Sequence, residues 1–161
     1  MGCCDAVARF IDETAALGEK RGAVLVQLPP SLAFDPSIAE AFFASVRGQY
    51  TGALVCEPRH ASWFDEPGDA LLRRFGVVRA AVDPAVVPDA ALPGGARLPG
   101  YYRWHGSPQT YVSRYDDATL RALATAIAEQ PETWCIFDNT TLGAATENAR
   151  TLQAILHDGS R

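Results

Sequence analysis

The feature that most constrains this chain is a set of five short apolar runs, each followed by turn signals and then by a stretch with helical spacing. They are residues 23–28 (AVLVQL), 53–57 (ALVCE), 77–83 (VVRAAVD), 101–105 (YYRWH) and 133–137 (TWCIF). Runs this short do not make stable helices, and their β-branched and aromatic content suits strands. Because most are apolar throughout rather than alternating, they read as strands of a parallel sheet covered by helices on both faces. The intervening segments agree. Residues 5–20 carry Val7, Phe10, Ile11 and Leu17 at helical spacing. Asp35-Pro36 supplies an N-cap and a first helical residue for a helix with Ile38, Phe42, Phe43 and Val46 on one side, ending at Gly48. Residues 65–75 form a short helix closed by Gly76, Asp116 or Asp117 caps another that runs to about Glu129, and residues 143–156 give the last. The expected class is α/β, with about five parallel strands. Residues 84–100 hold Pro84, Pro88, Pro93, Pro99 and Gly94-Gly95. They read as a long, irregular, exposed and mobile loop.

Composition narrows the class further. At 161 residues, 48% hydrophobic and 20% charged, the chain is expected to be a single domain, 1–161, with a core that needs no staples. A net charge of −5 with no basic run argues against a dominant electrostatic grip on nucleic acid or anionic membrane. No apolar run approaches the ~18 residues of a membrane span. Met1-Gly2-Cys3-Cys4 lacks the parts of a secretory signal, and Ala6 stands where myristoylation prefers Ser or Thr. The expected compartment is the cytoplasm. Of the four cysteines, Cys3, Cys4, Cys56 and Cys135, the last two sit in apolar runs and read as reduced core residues. With no CxxC pair and no zinc spacing, neither a metal nor a cofactor is expected.

Polar residues fall where the strands end. Gln27, Glu57, Arg59, His60, Asp83, Arg103, His105, Asp138 and Asn139 all lie near the C-terminal ends of the five runs, the rim at which parallel α/β folds collect their ligands. Alternation along a strand puts Arg103 and His105 on one face, and likewise Glu57 and Arg59 if the strand persists across Pro58. Buried charges must pair, which leaves two readings open: an ion-pair network tying strands together, or a site in which His105 moves protons. Trp63, in the loop beside His60, either stacks on a ligand ring or covers the mouth of the fold. Asn139 either caps the last helix or binds a ligand oxygen. Pro93-Gly94-Gly95 is not a phosphate loop, because no helix and no GK[ST] follow it.

Four motifs, QLPPS (27–31), EPRHASWF (57–64), RWHG (103–106) and FDNTTLGAATENA (137–149), stand in an order and spacing that resembles the YecE-like family, domain-of-unknown-function family 72. The resemblance runs from about residue 10 to residue 156. It implies parallel β/α units of a TIM-type barrel from bacterial cytoplasmic proteins, with a polar rim that looks like an active site. Members of that family carry a glycine- and tryptophan-containing stretch and about three further β/α units ahead of the QLPP strand. The barrel expected here is therefore incomplete, its two open edges covered by a partner, most simply a two-fold homodimer, or left open in a fragment. Pro58 also replaces the family's usual aromatic, and Asp138 its usual Asn. The functional expectation is an enzyme, searched for first as a hydrolase, acting on an anionic (phosphate- or carboxylate-bearing) small molecule, sugar or nucleic-acid-derived compound. Glu57 and His105 are its catalytic candidates, and Gln27, Arg59, His60, Trp63, Arg103 and Asn139 its substrate-binding candidates. The rival expectation is a non-catalytic binding or interaction module that has lost part of the family's site.

Overall fold

A computed structural model describes residues 3–128, 130 and 132–159. Met1-Gly2 and Glu129, the predicted helix end, lie outside them. The chain opens with helix α1 (Cys3–Glu13), which lies against the second helix and turns Val7 and Ile11 toward the core. The helix predicted over 5–20 stops early: residues Ala15–Lys20 form tighter 3-10 turns, broken at Gly18 with φ 52°. Phe10 and Leu17 are consequently exposed, not buried as expected.

Strand β1 (Val24–Gln27) ends before Pro29-Pro30, as expected from the missing N–H groups. Helix α2 (Pro36–Arg47) starts at Asp35, whose carboxylate accepts from the Ile38 N–H, with Pro36 in the first turn. It buries Ala39, Phe43 and Val46, while Ile38 stays exposed. Next come strand β2 (Leu54–Glu57), fully buried, and helix α3 (Glu66–Arg74).

The third run departs from expectation. Residues 77–83 are not one strand but two, β3 (Val77–Arg79) and β4 (Ala81–Asp83), which belong to different sheets. The handover is at Ala80, whose N–H still donates to the Cys56 carbonyl of β2, while Ala81 already pairs with Tyr102. The following segment is also more ordered than predicted. It contains a 3-10 turn at Pro88–Ala91 and a short strand β5 (Gly94–Gly95) antiparallel to β3, and it buries Ala90. Strand β6 (Gly100–Trp104), helix α4 (Asp117–Ile127, capped by Asp116), strand β7 (Thr133–Phe137) and helix α5 (Ala144–Asp158) complete the chain.

Two sheets result, β1-β2-β3-β5 and β4-β6-β7, parallel throughout except for β5. Helices α4 and α5 cover the second sheet through Leu120, Leu123, Ile127 and Leu152, which pack with Tyr102 and Tyr115. The sheets do not hydrogen-bond into a closed barrel. Strands β1 and β7 each have a strand neighbour on one side only, and both are half-buried where β2 and β3 are fully buried. The curled inner face nonetheless brings these edges together: a Cβ on Gly22, just ahead of β1, would lie 2.8 Å from the Trp134 ring of β7, so a side chain there would require that ring to shift. Cys56 is buried and Cys135 half-buried, and both are free thiols.

Candidate functional site

Because side chains alternate along strands, the inner face of the curl receives Gln27 from β1, Glu57 from β2, and Tyr101 and Arg103 from β6, with His105 just beyond. They meet where the strands end. Glu57 is almost completely buried, and each carboxylate oxygen has its own cation. Oε2 accepts from Arg103 Nη1 at 2.6 Å, and Oε1 accepts from Arg59 Nε at 3.0 Å and lies 2.9 Å from Arg59 Nη2. Arg103 is a hub: Nη1 also donates to Gln27 Oε1 at 2.8 Å, and Nη2 pairs with Asp138 at the end of β7. One guanidinium thus ties together β1, β2, β6 and β7.

His105 lies between the two carboxylates. Its Nε2 is 3.4 Å from Glu57 Oε1 and its Nδ1 is 3.2 Å from Asp138 Oδ2. The ring is 5% exposed, yet neither nitrogen is aligned for a hydrogen bond with any protein group. A buried imidazole in that condition is unusual, since buried polar atoms are nearly always partnered. Burial acts to raise the Glu57 carboxyl, but the polar contacts of His105, Arg103 and Arg59 outweigh it and hold the group at about 2. Glu57 is therefore ionised throughout the physiological range. Arg59 is held above its usual value: burial works against its charge, and hydrogen bonds to Glu57 and Tyr111 more than compensate. Two arginines face two carboxylates, so their charges balance.

Beside the cluster lies a pocket of about 220 Å³. Its lining combines the polar Glu57, Arg59, His105 and Tyr111 with the apolar Pro30, Val82, Pro84 and Val86.

Three sequence candidates are placed elsewhere. His60 caps the 3-10 turn Ala61–Trp63, its Nδ1 accepting from the Ser62 N–H at 3.2 Å. Trp63 is buried and donates from Nε1 to the Leu32 carbonyl, with its ring edge-on to Phe34 at 4.9 Å. Together with the bond from the Phe34 N–H to Ser62 Oγ, they strap the β2–α3 loop to the β1–α2 loop. Asn139 is wholly buried and donates from Nδ2 to the Ser113 carbonyl and to Asn148 Oδ1, holding the segment that follows β6 against α5. Asp83, on the outer face, accepts from the Tyr115 hydroxyl at 2.6 Å. Conversely, the structure adds Asp138 and Tyr111. Asp138 was legible as a polar strand-end residue, but its partners were not, and nothing in the sequence marks Tyr111.

Fold and cluster together define an α/β domain of parallel β/α units whose titratable groups converge at the C-terminal ends of its strands. The chain belongs to the family described as "Protein of unknown function DUF72", whose model matches residues 2–161. No curated protein matches it at a significant level. Among solved structures it is similar to a DUF72 family protein from Enterococcus faecalis V583 (TM-score 0.79, 20% identity, 97% of this chain and 66% of that one). It is similar as well to a DUF72 family protein from Thermotoga maritima MSB8 (TM-score 0.77, 24% identity, 95% and 65%). At these identities the likeness establishes the fold alone, and the chain spans just under two thirds of the length of these two relatives. No helix among the described residues is long and apolar enough to cross a membrane.

Proposed function

We propose that this domain is an acid–base enzyme acting on a small molecule with a phosphate or carboxylate group, sugars and nucleic-acid-derived compounds being the first classes to test. The observation that carries the reading is His105: a buried imidazole between two carboxylates, both nitrogens without a hydrogen-bonded protein partner, on the wall of a pocket. A histidine packed purely for structure would satisfy at least one nitrogen. Here the unpaired ring lines the pocket, where a ligand can meet an imidazole suited to proton transfer.

Roles then separate. Glu57, with its carboxyl held at about 2, neither delivers a proton near neutral pH nor accepts one readily. Its part is to fix Arg59 and Arg103 and to compensate their charge. Arg103 is fully engaged by Gln27, Glu57 and Asp138, so it braces the site. Arg59, partly exposed and on the pocket wall, is the cation that meets the ligand's anionic group. Asp138 Oδ2 lies 3.2 Å from His105 Nδ1 and Glu57 Oε1 lies 3.4 Å from Nε2, so a carboxylate flanks the ring on each side.

The test is a panel of phosphomonoesters, sugar phosphates, nucleotides and small carboxylates, screened for binding and turnover with the wild type and His105→Asn. Turnover that falls by about 100-fold or more in His105→Asn, with binding kept, supports acid–base catalysis. Binding without turnover of any compound favours a non-catalytic binding module, for which the near-neutral charge balance of the cluster also speaks. No binding by the wild type sinks both.

A further inference from the structure

Tyr111 is the one non-glycine residue with positive φ among the described residues, at 67°. That backbone region disfavours every L side chain, the bulky ones most, and its occupation is concentrated at functional sites. The conformation is imposed from both sides. The Tyr111 N–H donates to the His105 carbonyl at 2.5 Å, and its own carbonyl accepts from the Thr141 N–H at 3.1 Å. The loop carrying it leaves β6 at Gly106, whose φ of 99° and crowding against the Gln109 and Ser113 carbonyls exclude a side chain. The loop is then pinned by buried amides, Asn139 Nδ2 on the Ser113 carbonyl and Asn148 bonded both ways to the Tyr115 backbone.

So much fixed structure presents a side chain that packs on little: Tyr111 is 44% exposed. Its ring stands edge-on to the His105 imidazole, centroids 5.8 Å apart at 88°, and Arg59 lines the same pocket. The apolar part of the pocket lining is Pro30, Pro58, Pro84, Val82 and Val86. A pocket lined by an aromatic ring, prolines, valines and one guanidinium has the composition that suits a flat ring bearing an anion.

We propose that Tyr111 is a ligand-contacting residue that makes this pocket selective for anions carried on a compact planar ring, the ring lying against Tyr111 and the anion meeting Arg59. The proposal rests on the reading of the pocket as an anion site and adds what the anion is attached to. It also gives Asn139 a use, as a residue that positions the loop rather than one that binds ligand.

Phenyl phosphate and methyl phosphate share the anion and differ in the ring, so their affinities for the full chain, measured by titration calorimetry, separate the two ideas. The wild type is expected to prefer phenyl phosphate by about 5- to 10-fold, the range an aromatic contact supplies. Tyr111→Gly keeps the left-handed backbone without strain, and should bring that preference to about 2-fold or less while its melting temperature stays near that of the wild type. Tyr111→Phe, which retains the ring, should keep the preference. If the wild type binds both phosphates and Tyr111→Gly leaves their ratio unchanged, the role of Tyr111 is overturned and the anion site stands. If neither phosphate binds the wild type, the anion site falls and this proposal with it.

Discussion

Arg79 on β3, buried, and Arg103 on β6, half-buried, both pair with carboxylates, but they do different work. Arg79 points outward from β3. Its Nε and Nη2 bind the two oxygens of Asp69 on α3, its Nη1 donates to the carbonyls of Asp89 and Leu92, and its guanidinium lies 4.7 Å over the Phe64 ring. Every polar atom in that group has a partner, and the arrangement clamps the segment after β4 onto helix α3. Arg103 points inward with Nη1 and Nη2 both bonded, but the nearby His105 keeps two unaligned nitrogens and lines a pocket. Buried charge alone is thus a poor marker of function. An ion-pair network in which everything is satisfied is architecture, and one that leaves a titratable group unsatisfied next to open space is a candidate site.

The largest effect expected from breaking this contrast is at the clamp. Arg79→Met strands the Asp69 carboxylate and two carbonyls, and should destabilise the fold by about 3 to 5 kcal/mol, read as a lowered urea midpoint. Proteolysis within residues 84–100 should accelerate as the clamp is lost. A midpoint within error of the wild type would mean that the clamp is no more than a surface pair.

Next in size is the acid response of Glu57. Its folded value of about 2 lies below the ordinary 4.5, so the ionised carboxylate favours the folded state. That contribution is complete above pH 4.5 and is lost as pH falls from 4.5 through 2. The difference corresponds to about 3 kcal/mol. Glu57→Gln should be less stable at neutral pH, and its stability should depend less on pH across that window than the wild type's does. Parallel pH profiles for the two proteins would show that other carboxylates drive the acid transition.

Asp138→Asn sharpens the contrast from the other side. Asp138 is partly exposed, so stability should change by about 1 kcal/mol or less, while the ring signals of His105 in nuclear magnetic resonance spectra shift at fixed pH. Unmoved His105 signals would dissociate Asp138 from the histidine. The smallest effect is expected at His60. His60→Ala removes a turn cap and should cost about 0.5 to 1 kcal/mol, leaving any ligand affinity of the pocket unchanged. A loss of affinity there would return His60 to the site.

Most of the elements were readable because their signals are local. Asp35-Pro36 fixes a helix start through one carboxylate and one missing N–H, and TWCIF is a strand of the length and composition that a parallel sheet buries. The errors share a cause too. VVRAAVD reads as one strand because each of its residues suits a strand, and its division at Ala80 depends on which neighbour, β2 or β6, lies beside each half. The apolar spacing over 5–20 runs on to Leu17, but the α-helix ends at Glu13 and the 3-10 turns after it leave the helical region at Gly18. Residues 84–100 look loose because their anchor, the guanidinium of Arg79, lies outside the segment.

For the site, the sequence by itself determined that Glu57, Arg59, Arg103 and His105 stand at strand ends, and that alternation sends Arg103 and His105 to one face, since strand periodicity is a property of the backbone. Only the tertiary structure decided which charges meet. It brought Gln27 and Asp138 to Arg103 from strands far apart in the chain, diverted His60, Trp63 and Asn139 into straps and loop supports, and set Tyr111 beside His105. Electrostatic and hydrogen-bonded pairing acts over a few ångströms in space and is blind to separation along the chain, so residues at positions 27, 57, 103 and 138 become one cluster only when the sheets curl.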